Sequence, residues 1–505
     1  MRMVESYSQL SEMKIAFLTL GCKLNYAETS TYERGFIEAG LEVIPWQEKA
    51  DVYVINTCTV TATSDSKSRN LVRKVHRVNP DAAIVVTGCS AELRRGDYDC
   101  LEGVVRVFGA DEKGLVVPEI LSLLSPALPV IRQNVSLRSA PPVASDGPLP
   151  LTLPRVAQVC CSTGSSPAEG SFTAVETEEL ESRHQPAGRA VTFASAKVGK
   201  AERPRGIVGG SAPLNCFAAY STGERTRSFL KVQDGCNNFC AYCTVPYARG
   251  RSRNVPVSEC VRNAEAIAAE GVKEIVLTGV NTGDFGRTTG ETFLDLLKAL
   301  NEVEGIERYR ISSIEPNLIT EDIVDWIASG TKFQPHFHIP LQTGSDTLLK
   351  KMGRHYDTAF FADRIAYIRS AMEGPDKPKV FFGIDTMVGL PGETDELFKE
   401  TYDFIAGLKP AFIHVFPYSR RPGTPAASMP GQVSEHVKHE RVLALEELCS
   451  RLHEEFVSAS RGVCEKVLFE SKEKDGSMSG YTGNYIRVSR PYDASLVGIL
   501  TDIII

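Results

Sequence analysis

Two periodicities divide this chain. Short apolar runs alternate with helical spacings over residues 14–130 and again over 227–460, and a strand-like pattern replaces both in the tail. In the first block IAFLTL (15–20), DVYVIN (51–56), AAIVVTG (82–88) and VVRVFG (104–109) read as strands. NYAETSTYERGFIEAG, SKSRNLVRKVHRV and EKGLVVPEILSLL carry apolar residues at helical spacing. Strands alternating with helices predict a parallel sheet with helices on its faces.

From residue 228 the alternation resumes. SFLKVQ, EIVLTG, RYRISS, HFHIPL, KVFFGID and FIHVFPY are six strand candidates, separated by helical segments and closed by a long helix over 434–460. Six β/α units predict a partial barrel, smaller than the closed eight-unit one. Residues 463–505 give KVLFES, YTGNYIRVS and VGILTDIII, strand-like around Gly and Asp-Gly turns, which fits a small all-β module. Residues 134–226 keep neither period. Ala, Ser, Pro and Gly supply 42 of these 93 positions, so the segment has little to bury against the entropy of ordering and reads as a flexible insert.

Composition narrows the picture. At 505 residues the chain is long enough for about three domains. With 42% apolar and 24% charged residues it is globular, not disordered, coiled-coil or collagen-like. No apolar run reaches the eighteen or so residues that a membrane helix needs. The first residues lack a secretory pattern, so a cytoplasmic location is expected. A net charge of −7 means that any nucleic-acid site must be a local patch. Thirteen cysteines in a reducing compartment are packing residues, metal ligands or reactive thiols.

Cys236, Cys240 and Cys243 stand in DGCNNFCAYCTVP, spaced C-x3-C-x2-C after the strand SFLKVQ. Three thiolates on one short loop can hold three irons of a cubane cluster, leaving the fourth iron open to a substrate or cofactor. Zinc would want a fourth ligand nearby, and His336 and His338 are distant in sequence. Cys22, Cys58 and Cys89, in TLGCKLN, NTCTVT and TGCSAE, each follow a predicted strand. Strand carboxyl ends are where open α/β sheets bind ligands, so three loops can bring these thiols together as a second open cluster. Taken singly, each is more often just a buried small apolar residue, and it is the repeated position at strand ends that brings the metal reading level with that one. Cys260 and Cys449 lie on helical patterns and read as packing residues.

CNNFCAYC opening a six-unit β/α block resembles the radical S-adenosylmethionine enzymes. The cysteine triad before it and the small β tail after it resemble the methylthiotransferases of that superfamily. NTCTVTATSDSKSRN, VPYARGRSR, SSIEP and HIPLQTGSDTLLKKMGRHY are most similar to the branch acting on N6-threonylcarbamoyladenosine in tRNA. The resemblance covers 14–130 and 227–505. It implies an α/β fold: an N-terminal parallel-sheet domain for an auxiliary cluster (14–130), a partial (β/α)6 radical core (227–460) and a C-terminal TRAM module (463–505). Two [4Fe-4S] clusters are implied, on Cys22, Cys58 and Cys89 and on Cys236, Cys240 and Cys243, with S-adenosylmethionine as methyl donor and radical source. The implied reaction places a methylthio group on C2 of the modified adenosine at position 37. A hydrogen on C2 is not acidic, which leaves no role for an ordinary general base and favours cofactor radical chemistry.

Gly279 and Gly389 end strands where backbone can approach a ligand, and Glu315, Gln342 and Ser345 are candidates to contact S-adenosylmethionine. Two basic segments lie beside the two triads. Arg69, Arg73 and Arg77 share a helix face, and Arg249, Arg251 and Arg253 follow the second triad; both are expected to contact tRNA phosphates. Tyr481, Tyr485 and Tyr492 are candidates to stack on bases. A flavodoxin or ferredoxin as electron donor, no membrane and a monomeric state complete the expectation. The alternatives are the same chemistry on N6-isopentenyladenosine or on a ribosomal protein, or an RNA-binding iron–sulfur sensor or electron carrier.

Overall fold

The computed structural model describes residues 12–124, 216–222, 226–473 and 475–505, and the backbone of Gln158–Val159. The first block forms a parallel sheet from β1 (Lys14–Leu20), β2 (Glu42–Val43), β3 (Val52–Thr57), β4 (Ala83–Gly88) and β5 (Val104–Val107), in the order β2-β1-β3-β4-β5. Alternate residues face opposite sides. Ala16, Leu18, Tyr53, Ile55, Ile84 and Val86 build one core layer. Ile15, Phe17, Val52, Val54, Ala83 and Val85 build the other. Both faces are buried, which is why these strands are continuous apolar runs and not alternating ones.

The expected boundary at 226 moves. Residues 216–222 are built into the structure: β7 (Ala219–Tyr220) pairs antiparallel with β8 (Arg227–Lys231), Ala219 opposite Lys231. Phe217 stacks on Tyr32 and the Arg34 guanidinium lies over the Tyr220 ring. These aromatics supply the apolar area that the rest of 134–226 lacks in sequence. Upstream, Gln158–Val159 (β6) runs parallel to the end of β1; the remainder of the insert lies outside the described residues.

Six parallel strands form the second block. β8, β11 (Glu274–Thr278) and β12 (Arg308–Ile311) make one sheet, and β13 (His336–Gln342), β14 (Phe381–Val388) and β15 (Phe412–Pro417) another. Backbone bonds from Gln334 N to Tyr309 O and from Ile314 N to His338 O join the two. A short ribbon of β9 (Gln233–Asp234) and β10 (Arg253–Asn254) lies beyond β8. Leu230, Ile275, Leu277, Tyr309, Ile311, Phe337, Ile339, Phe382, Ile384 and Val415 pack outward under the helices. The alternate positions face an interior that is polar: Arg227, Lys231, Glu274, Arg308, Arg310, His336, His338, Asp385 and His414. Cys260 and Cys449 belong to the apolar core, as their helical spacing predicts. The closing helix runs Glu435–Ala459, capped by Ser434, whose hydroxyl accepts from Val437 N.

Two elements enter the barrel interior. The helix Lys23–Glu38 of the first block sets Tyr26 edge-on to Phe229, with Ala27 and Val276 alongside. From the tail, Tyr485 takes a left-handed φ of +68° and lies between Arg227, which donates to its hydroxyl at 2.9 Å, and His336. The tail itself is an antiparallel sheet, β18-β17-β16-β19: β16 (Cys464–Lys472), β17 (Ser477–Tyr481), β18 (Arg487–Pro491) and β19 (Leu500–Ile504). The run YTGNYIRVS is therefore not one strand. Tyr481 ends β17 and Arg487 begins β18, because Thr482–Ile486 turn to carry Tyr485 into the barrel. No helix among the described residues is long and apolar enough to cross a membrane.

Candidate functional site

The first triad is assembled from three strand ends. Gly21, with φ +116°, carries the chain out of β1; a Cβ there would lie 2.9 Å from the Cβ of Cys58. Gly88, with φ +99°, carries the chain out of β4 and would strike the Thr57 carbonyl if it had a side chain. Cys22 and Cys89 then open helices, Lys23–Glu38 and Cys89–Leu93. Asn25 ties the ends together: its amide donates to the carbonyls of Leu20 at 2.8 Å and Thr57 at 2.9 Å. Cys58 and Cys89 are buried and Cys22 is accessible. Burial pushes the Cys89 thiol up; Arg249 and Lys113 pull it down, and the nearby Cys22 sulfur adds to the rise.

Beneath this triad lies a buried ionic network. Glu28 Oε1 accepts from Lys113 at 2.8 Å, Lys231 at 2.7 Å and Arg249 at 3.2 Å. Asp234 accepts from Lys231 at 2.7 Å, Arg249 at 2.9 Å and Arg253 at 3.5 Å. Burial works to raise both carboxyls, but the surrounding ammonium and guanidinium groups hold them below the usual carboxylate range. Four cations against two carboxylates leave two positive charges in excess, and buried charge needs compensation. The Arg249 Nε donates to Cys89 Sγ at 3.2 Å. A set of thiolates carrying an anionic cluster supplies the missing negative charge, so the residues present fit such a group.

The second triad needs one loop only. Gly235, with φ +73°, packs against the Arg251 carbonyl, where a Cβ would clash. Phe239 is left-handed at +48°, and the Ala241 N–H is held by Met352 O at 2.9 Å. Asn238 N donates to Cys236 Sγ at 3.4 Å. Burial pushes Cys236 up to about 11 and Cys243 up to about 12, with Cys240 adding to both. Metal binding would have to displace these protons. Arg354 Nη1 donates to Cys240 Sγ at 3.2 Å, and its Nη2 grips Glu315 at 2.6 and 2.8 Å. Among the described residues, the atoms close enough to share a single ion belong to His338, Asp385 and His414. Neither cysteine triad has all its sulfurs within 4.8 Å of one another, as one tetrahedral zinc would hold them.

The sites are physically joined. Thr244 follows Cys243 at the N-cap position of the helix Val245–Arg249, so about 7.5 Å of helix carries the chain from the second triad to the guanidinium on Cys89. Arg421, after β15, donates to Thr59 at 2.8 Å and also grips Asp65. An open cleft of about 350 Å³ lies along this junction, lined by Leu93, Arg94, Thr244, Tyr247, Arg421 and Thr424.

Other expected site residues scatter. Glu315 lies at the second triad through Arg354. Gln342 is left-handed at +71°, just past a register shift in β13, a strained conformation of the kind found at ligand sites. Ser345 is buried, and its hydroxyl has no hydrogen-bond partner among the described residues. The close approach at Gly279 is to Gln233 and at Gly389 to Lys438, so these glycines make room for protein atoms. The expected basic patch at 249–253 is corrected. Arg249 and Arg253 are buried in the ionic network and cannot meet phosphate; Arg251 alone is exposed. Asp234, 15 and 19 residues before Arg249 and Arg253 in sequence, is what draws them in. On the first patch Arg73 and Arg77 are exposed, whereas Arg69 is partly covered and pairs with Asp97 at 3.6 Å. Tyr485 is occupied by the barrel; Tyr492 stays exposed. Sequence reasoning missed Asn25, Arg354 and the His338–Asp385–His414 group. Arg354 was visible only as one basic residue in KKMGRHY, with nothing local to mark it.

A parallel six-strand barrel with an open cysteine triad at the end of its first strand defines a radical S-adenosylmethionine enzyme. The "Radical SAM superfamily" description matches residues 230–405, and "Uncharacterized protein family UPF0004" matches 14–108. The chain is 35% identical over 480 residues to the threonylcarbamoyladenosine tRNA methylthiotransferase MtaB of Bacillus subtilis (strain 168), covering 94% of this chain and 89% of that one. The MtaB of Aquifex aeolicus (strain VF5) is 32% identical, covering 95% and 97%. The tRNA-2-methylthio-N(6)-dimethylallyladenosine synthase of Pelotomaculum thermopropionicum is 39% identical, but over 50% of this chain and 56% of its own. This chain belongs to the radical S-adenosylmethionine methylthiotransferases, enzymes that use S-adenosylmethionine and [4Fe-4S] clusters.

Proposed function

We propose that this protein installs a methylthio group on C2 of N6-threonylcarbamoyladenosine at position 37 of tRNA. The observation that carries the reading is the run from Cys243 to Arg249, which ends with a guanidinium on the sulfur of Cys89. That connection supports a reading in which the two triads face one cavity. In this reading Cys22, Cys58 and Cys89 hold an auxiliary cluster, and Cys236, Cys240 and Cys243 hold the radical cluster. Bound there, the clusters and S-adenosylmethionine supply the radical and the sulfur that an unacidic C–H bond requires.

The chain's own residues bind, orient and shield. Arg249 and Arg354 each donate to a ligating sulfur, fixing its orientation as outer-shell partners do. Glu315 locks Arg354 in place with two bonds. Gln342 and Ser345 offer polar groups toward S-adenosylmethionine. Tyr26 and Phe229 close one side of the interior against water. The tail is read as a TRAM-like module over 463–505, and Arg73, Arg77 and Arg251 as phosphate contacts. A flavodoxin- or ferredoxin-type donor, a monomeric state and the cytoplasm, where tRNA resides, complete the reading.

The test is nucleoside mass spectrometry of tRNA from a deletion strain with and without the gene restored. Loss and recovery of the methylthio mark on threonylcarbamoyladenosine is expected. Loss of the mark on isopentenyladenosine instead would move the enzyme to the other branch.

A further inference from the structure

We infer that Lys23 is the residue that recognises an anionic substituent on the target base, the carboxylate of the threonylcarbamoyl group. The inference rests on the substrate reading above and adds the group that would select it.

Lys23 directly follows Cys22 and is the first residue of the helix that enters the barrel. The groups that act electrostatically on its ammonium are Tyr485, Arg227, Arg310 and Asp385. It acts in turn on His336 and His414. All are interior residues of β8, β12, β13, β14 and β15, or the tyrosine that enters from the tail. Its side chain therefore reaches into the barrel, and since the residue remains accessible to water, it lines open space there.

The other charged groups around it have partners. Arg227 pairs with Glu470 at 2.7 Å. Arg308 and Arg310 share Glu274. Asp385 is taken by His338 at 2.8 Å. Lys23 makes no hydrogen bond or ion pair among the described residues, so its ammonium stands in this interior without a partner among them. An unpaired ammonium in a confined polar space is a binding element for an anion.

Position selects the anion. Lys23 is one residue from Cys22, which would hold the cluster beside which C2 would be placed. In a 6-substituted adenine, C2 and the N6 substituent flank N1 on the same edge of the ring. A base with C2 at the Cys22 triad therefore holds its substituent toward Lys23. A threonylcarbamoyl group brings a carboxylate to that place; an isopentenyl group brings only hydrocarbon and would leave the ammonium unmatched, a strong basis for rejection.

The experiment measures equilibrium binding by fluorescence anisotropy on the full chain with both clusters reconstituted anaerobically. Three anticodon stem-loop RNAs are compared, carrying threonylcarbamoyladenosine, its threonyl methyl ester, or unmodified adenosine. The unaltered protein is expected to prefer the acid over the ester tenfold or more. Lys23→Met should abolish that preference while leaving affinity for the ester and for unmodified RNA unchanged, and Lys23→Arg should restore most of it. Lys23→Gln replaces Lys23→Met if the latter loses iron. An acid-to-ester ratio that survives either neutral variant overturns the inference, as does an equal loss for all three RNAs, which marks a phosphate contact. If the unaltered protein prefers the modified RNA but treats acid and ester alike, Lys23 falls and the substrate reading stands. If it does not distinguish modified from unmodified RNA, the substrate reading falls as well.

Discussion

The two cysteine sites solve the same problem with different amounts of chain. The second occupies eight residues of one loop; the first draws on three loops that span 68 positions in sequence, from Cys22 to Cys89. Each places a guanidinium 3.2 Å from one sulfur. Around them the charge differs. Arg354 answers a single carboxylate, Glu315, whereas Arg249 belongs to a network of four cations and two carboxylates. A local site needs only its loop held in shape. A dispersed site needs a folded sheet to align its ends and buried counter-charge to accept the thiolates, and its residues are spread accordingly.

That contrast can be broken most directly at the sulfurs. Replacing Cys236, Cys240 and Cys243 by Ala should halve the iron from about eight to about four per chain and abolish reductive cleavage of S-adenosylmethionine. Replacing Cys22, Cys58 and Cys89 should halve the iron equally and leave that cleavage intact. Iron assay and detection of 5′-deoxyadenosine check both, and equal cleavage in the two variants would erase the distinction.

The arginines give the next largest effects. Arg354→Met leaves Glu315 buried without its ionic partner, a loss of about 3–5 kcal/mol at neutral pH by denaturant unfolding. Burial already raises the Glu315 carboxyl against the pull of Arg354. In the variant its folded pKa lies further above the unfolded value, so the ionised form opposes folding and the deficit should shrink as pH falls through the carboxylate range. Arg249→Met leaves Lys113, Lys231 and Arg253 to hold Glu28 and Asp234, so the expected loss is smaller, about 1.5–3 kcal/mol. Both carboxyls have depressed folded values, so the stability they contribute should still disappear only as pH falls below the usual carboxylate range.

The smallest effects separate exposed from buried arginine. Arg73→Gln with Arg77→Gln should weaken RNA binding and lower the salt slope by about 1–2 with no change in thermal stability. Arg253→Gln should do the reverse, lowering the melting temperature and leaving the salt slope alone, because Arg253 donates to Asp234 and to the Arg249 carbonyl and not to solvent.

The strands of both blocks were legible because burial on both faces writes them as apolar runs between helical spacings. Cys236, Cys240 and Cys243 were legible because their spacing is itself the site. Three readings failed for one reason. Arg249 and Arg253 look like a surface patch until Asp234 and Glu28 meet them. YTGNYIRVS looks like one strand until Tyr485 is needed inside the barrel. The segment before 226 looks unstructured until Phe217 and Tyr220 meet Tyr32 and Arg34. In each case the deciding partner is far away in the chain.

Sequence alone determined the layered α/β architecture and the local cysteine loop, since periodicity and short spacing are properties of neighbouring residues. Tertiary structure alone decided that three strand ends meet, that a basic run turns inward, and that Lys23 has no counter-ion among the described residues. Those depend on charges and backbone ends meeting across long separations, where the cost of burying an unmatched group, not local preference, sets the outcome.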